Sequence, residues 1–91
     1  MPLKWTASAE RDLVRLHAFL APVNSSVAAK VVKQLVSGAE QLLTYPQLGV
    51  VLEEFAPRDV RRVIVGDYEL RYEVAESLIY ILRLWHVRED R

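Results

Sequence analysis

The chain predicts an α+β fold of order β-α-α-β-β-β: a helical hairpin packed on one face of a small, mainly antiparallel sheet whose last strand is central. Three observations carry this. Apolar residues recur every three or four positions over residues 8–20 and again over 26–44, the period of an amphipathic helix. Residues 68–74 alternate instead, Tyr68, Leu70, Tyr72 and Val74 against Glu69, Arg71 and Glu73, as a strand with one buried face does. Residues 78–85 are apolar almost throughout, which places them inside a sheet rather than at its edge.

The opening Leu3–Thr6 is short and alternating, with Leu3 and Trp5 on one face, and reads as an edge strand. From Ser8 to Leu20 the stripe is Ala9, Leu13, Leu16, Phe19 and Leu20. Ser8 is the expected N-cap, and Glu10 suits the positive first turn. Pro22 pushes Ala21 out of helical geometry and ends the helix. Asn24, Ser25 and Ser26 supply the next cap. The second helix runs to Thr44 with Val27, Val31, Leu35, Ala39 and Leu42 on its stripe. Gly38 weakens it by about 1 kcal/mol relative to Ala and permits close packing of a neighbour. The short connection favours an antiparallel hairpin. Tyr45-Pro46 ends the helix, and residues 46–59 hold Pro46, Gly49 and Pro57, a loop with room for a short extended piece at Val50–Phe55.

Three strands follow, at Val60–Val65, Tyr68–Val74 and Leu78–Trp85. Gly66-Asp67 is a two-residue turn with glycine first, as a type II′ hairpin prefers. The last strand needs a second neighbour, and Leu3–Thr6 is the remaining candidate. Trp85 is expected to pack toward Trp5 across that pair.

Ninety-one residues make one domain. Lys+Arg and Asp+Glu are both 12, which argues against a protein held to nucleic acid or membrane by bulk charge. All seven cations of residues 56–91 are arginines, the fork suited to phosphate or carboxylate; salt bridges with the nearby acids are the plainer explanation. The apolar share, 52%, points to a partner covering part of the surface, or else to an Ala- and Val-rich helical layer. With no cysteine there is no disulfide or thiolate chemistry. No apolar stretch reaches the ~20 residues of a membrane span, and the N-terminus lacks a signal-peptide pattern. A soluble cytoplasmic protein is expected.

Two histidines, His17 and His86, make no metal site with so few ligands. Three glycines fit no phosphate loop, so no cofactor is expected. One polar cluster remains. Arg71 stands between Glu69 and Glu73 on the polar face of its strand. Arg83 interrupts the neighbouring apolar run, Arg61 or Arg62 adds a third guanidinium, and His86 and Arg88 follow the last strand, with Arg91 at the terminus. A histidine among guanidiniums is the composition of an RNA-cleaving site that works by general acid–base catalysis. The alternative is cross-strand pairing of Arg71 and Arg83 with Glu69 and Glu73, at about 0.2–1 kcal/mol each.

The ordered set LKWTASAERDLVRL, YPQLG, RRVIVGDYELRYEV and IYILRLWHVRED resembles the RelE/ParE superfamily of small toxins from prokaryotic type II toxin–antitoxin modules, over essentially the whole chain. The resemblance implies a single toxin domain spanning residues 1–91, neutralised in a hetero-oligomer by an antitoxin whose flexible segment lies across the sheet and helices. It also implies a role in plasmid stabilisation. One branch cleaves mRNA on the ribosome; the other inhibits DNA gyrase. The cleaving branch has a basic residue just after the hairpin turn and a His-Tyr-like pair at the C-terminus. Here Glu69 stands at the first place and Val87 follows His86, which points to the ParE-like branch. The implied partner contacts are Leu13, Leu16, Arg61, Tyr68 and Arg88. If the chain is instead a nuclease, the catalytic set is His86, Arg83, Arg71 and Arg62. A degenerate toxin that only binds antitoxin is the third possibility.

Overall fold

The computed structural model describes residues 2–88 of the chain; Arg91, expected beside His86 and Arg88, lies outside them. Strand β1 (Leu3–Trp5) leads into helix α1 (Ala7–Leu20), which pairs with α2 (Ser25–Thr44) as an antiparallel hairpin. Strands β2 (Val50–Val51), β3 (Val60–Val65), β4 (Tyr68–Val74) and β5 (Ile79–His86) follow, with a 3₁₀ turn at Glu53–Phe55. The sheet order is β1-β5-β4-β3-β2, parallel between β1 and β5 and antiparallel elsewhere. The last strand is thus flanked on both sides, as the sequence predicts. The fifth strand is the unforeseen one: only Val50–Val51 of the suggested extended piece pairs with β3.

Helix α1 begins one residue before the sequence reading and is capped by Thr6, not Ser8. The Thr6 hydroxyl accepts the Ala9 N–H at 3.1 Å and shares its own proton between the Ile81 and Leu82 carbonyls, at 2.9 and 3.1 Å. One side chain therefore starts the helix and ties it to β5, which a serine two positions on cannot do. Phe19, expected in the core, is 76% exposed; Ala9 and Leu16 are buried with Asp12 among them. Asn24 caps α2 through the Val27 N–H. Its buried stripe is Ala28, Leu35, Ala39 and Leu42, with Val27 turned outward. A Cβ on Gly38 would sit 2.8 Å from Val65, so the glycine is what lets β3 approach the helix. Gly66 has φ +61°, and among the described residues no other residue type has positive φ, which leaves type II′ for the two-residue turn.

Leu70, Tyr72, Ile79 and Ile81 pack with Ala9, Ala39 and Leu42 under the helices, and Tyr68 and Leu84 pack with Leu16 and Leu35. The register reveals a β-bulge: Arg71 faces Arg83, yet Tyr72 faces Ile81, leaving Leu82 as the extra residue. Before the bulge Ile79 and Ile81 point to the helices; after it Leu84 does. Trp85 is thereby carried to the other face, opposite Glu69. Trp5 lies opposite Ile81 and joins the helix-side core, so the expected Trp5–Trp85 packing does not form. The last strand also runs one residue later than predicted, and His86 belongs to it rather than following it.

Candidate functional site

Two places gather the side chains singled out above. The first is a groove of about 630 Å³ between α1 and the ends of β4 and β5. Leu16, Phe19 and Leu20 form its helical wall. Tyr68 and His86, paired in register across β4 and β5, form its floor, and Arg15 and Arg88 stand at its rim. The His86 ring meets Tyr68 edge-on, with centroids 5.2 Å apart. Its Nδ1 accepts the Arg88 N–H at 3.1 Å, so a neutral ring carries its proton on Nε2.

The second is the sheet face away from the helices. Val63 and Val65 pack under the helices, so Arg62 points to the opposite side. Arg62, Arg71 and Arg83 occupy one row across β3, β4 and β5. Two of the three are already engaged or restrained. Arg83 binds Asp12 of α1, Nε to Oδ2 at 2.8 Å, and Nη2 to Oδ1 at 3.2 Å. Arg71 lies between the rings of Phe55 and Trp85. The anticipated pairing with Glu73 belongs to Arg58 instead, at 2.7 Å.

Asp12 is 4% exposed. Burial pushes its carboxyl up, but the Arg83 hydrogen bond, the Leu84 N–H and the charges of Arg83 and Arg15 outweigh burial and hold it below the usual carboxylate range. In the core beneath the helices, Tyr72 is wholly buried and its hydroxyl is pushed up chiefly by desolvation.

The structure brings Leu16, Tyr68, His86 and Arg88 together. It places Leu13 between the two helices, beside His17 and Val32. Arg61 is committed to Asp59 and to the carbonyls of Gln47 and Gly49. His86 stands on the helix side with Tyr68, whereas Arg62 and Arg71 point to the opposite face. Asp12, Arg15, Phe19, Leu20 and Phe55 are site residues that the sequence reading does not name as such. For Asp12 a signal existed, since it sits three residues after Ala9 and four before Leu16, on the buried stripe. Phe55 had none, because a loop residue carries no period. Among the described residues no three potential metal ligands converge, and no helix is long and apolar enough to cross a membrane.

Comparison with known proteins gives a consistent result. The family described as "ParE toxin of type II toxin-antitoxin system, parDE" matches residues 3–91. Toxin RelE2 of Caulobacter vibrioides is 30% identical over 83 residues, covering 90% of each chain. A chain of the solved chromosomal ParDE toxin–antitoxin system from P. aeruginosa superimposes with a TM-score of 0.77 at 25% identity, over 94% of this chain and 95% of the other.

Proposed function

Because the chain belongs to the ParE toxin family of type II toxin–antitoxin systems, we propose that it arrests growth by binding and poisoning DNA gyrase in the cytoplasm, and that its antitoxin silences it by seating on the groove between α1 and the ends of β4 and β5. The family implies the antitoxin partner; the target and the seat are our reading. The observation that carries it is the separation of His86 from the arginine row. Acid–base cleavage of RNA needs a histidine and phosphate-neutralising guanidiniums to converge within hydrogen-bond reach of one phosphate. Here the row of Arg62, Arg71 and Arg83 lies on the face of the sheet opposite His86, and Arg83 is tied to a buried carboxylate. A groove with an apolar wall and a basic rim suits a protein partner instead.

The test is a side-by-side assay of purified toxin for gyrase supercoiling and for ribosome-dependent mRNA cutting. Inhibition of gyrase with intact mRNA is expected, and mRNA cutting without gyrase inhibition overturns the reading. A second reading, ribosome-dependent endoribonuclease, draws on the likeness to Toxin RelE2 and on the company His86 keeps with Arg15 and Arg88 in the groove. His86→Ala separates the two: toxicity unaltered at equal protein level eliminates the nuclease. Normal growth on expression without antitoxin would instead indicate a chain that retains only antitoxin binding.

A further inference from the structure

Arg71 is held in an unusual way. Its guanidinium carbon lies 5.2 Å from the Phe55 ring centroid and 4.9 Å from that of Trp85. Two aromatic faces fix a planar cation well, but they supply no hydrogen-bond acceptor. Among the described residues, the buried Nε has no partner. The acids on its own strand do not close the gap: Glu73 is taken by Arg58 through two hydrogen bonds, at 2.7 and 3.2 Å. Its register neighbours on both sides are arginines, Arg62 and Arg83, and like charges directly opposite each other are unfavourable. A guanidinium pinned in place and flanked across the sheet by its own sign offers its outer Nη nitrogens, which lie outside the buried shell that holds Nε, as donors to an acceptor from outside.

The charge pattern selects the acceptor. Glu69 and Glu73 lie two residues to either side of Arg71 on the same face, and the chain as a whole is neutral. A nucleic-acid backbone laid along this face would meet a carboxylate on each side of the arginine row. A single carboxylate fits between Glu69 and Glu73, on the arginine row at Arg71. We propose that Arg71 receives one Asp or Glu side chain of the antitoxin, on the sheet face opposite the groove. This rests on the reading of the chain as an antitoxin-neutralised toxin and adds a second, polar anchor to it. The immobilised guanidinium loses little further freedom on binding, so its fork discriminates strongly between a carboxylate and an amide.

A double-mutant cycle tests it. Arg71→Ala is expected to weaken the complex with the cognate antitoxin by about ten- to a hundredfold. Arg71→Lys, which keeps the charge but not the planar fork, should fall in between. Each Asp and Glu of the antitoxin is then changed to Asn or Gln and measured against wild-type toxin and the Arg71→Ala variant. The expected result is one carboxylate whose loss weakens the wild-type complex at least about tenfold but the Arg71→Ala complex less than about twofold. Unfolding midpoints check that the variants are folded, and Arg71→Lys carries the cycle if the alanine variant is not. Strictly additive losses at every carboxylate overturn the inference. So does an unchanged affinity of Arg71→Ala for the antitoxin, or an Arg71-dependent affinity for single-stranded oligonucleotides in its place. A wild-type chain that forms no complex overturns the functional reading along with it, whereas a tight wild-type complex indifferent to Arg71 overturns this inference alone.

Discussion

Arg83 reaches Asp12 across 71 positions of sequence, Nε to Oδ2 at 2.8 Å, and the same oxygen accepts the Leu84 N–H at 3.0 Å. The reason lies in the length of β1. It ends at Trp5, opposite Ile81, so beyond that point β5 has no strand on its outer side. Asp12 stands in for the missing neighbour: a carboxylate on α1 accepts the ladder N–H that a strand carbonyl would otherwise take.

Asp12→Ala should therefore destabilise the fold by more than a surface ion pair. It leaves the buried Leu84 N–H without this acceptor and takes the carboxylate away from Arg83. The full penalty for breaking a buried pair is discounted because the Arg83 side chain is 44% exposed. We expect a loss of about 2–3 kcal/mol, seen as a fall in unfolding midpoint of about 10–20 °C. Asp12→Asn, which can still accept from Leu84, should lose less.

The same carboxyl sets an acid limit. Its folded-state pKa lies below the ordinary 3.8, so the unfolded chain binds this proton at higher pH than the folded one. The contribution is fully present above that ordinary value and drains away as pH falls through the lower, folded one. Denaturant titrations should show wild type losing stability below about pH 4. Its advantage over Asp12→Asn should shrink over the same range.

Tyr72→Phe should loosen the loop that leads into β2. The Tyr72 hydroxyl accepts the Gly49 N–H and donates to the Pro46 carbonyl, both at 2.8 Å, from a wholly buried position. Removing it strands a buried amide, at a loss of about 1–3 kcal/mol. Hydrogen exchange at Gly49 should accelerate more than at the β4–β5 core.

Phe19→Glu should leave the fold intact, since the ring is 76% exposed, and shift stability by no more than about 0.5 kcal/mol. An aromatic side chain on a groove wall is a typical anchor for a partner. We expect antitoxin affinity to fall at least about tenfold, read by titration of the purified components, with near-UV spectra showing unchanged packing.

Much of this fold is legible in the sequence because local periods announce it. The two helices, the II′ hairpin and the flanked position of the last strand follow from spacing alone. What escaped depends on neighbours. Ser8 and Thr6 are equally good caps by type, and only the carbonyls of Ile81 and Leu82 choose Thr6. Phe19 and Leu20 are adjacent apolar residues, and which of them faces the sheet depends on how α1 is rolled. Arg83 reads as a solvent-facing residue until Asp12, a buried acid on the facing helix, is placed beside it. The candidate groove was half-visible: Leu16, Tyr68, His86 and Arg88 could be named, but Arg15, Phe19 and Leu20 enter it only once α1 is docked.

The extra residue at Leu82 gives the last strand two halves that are out of phase. The segment Ile79–Ile81 builds the core; Leu84, Trp85 and His86 are dealt to the two sides by the opposite rule. Drawing Leu82 into the ladder as an ordinary strand residue exchanges what the end of the strand displays, bringing Trp85 beneath the helices and turning Leu84 away, whereas deleting it leaves that display as it is. The same letters in a strand without the bulge therefore offer a partner a different set of side chains.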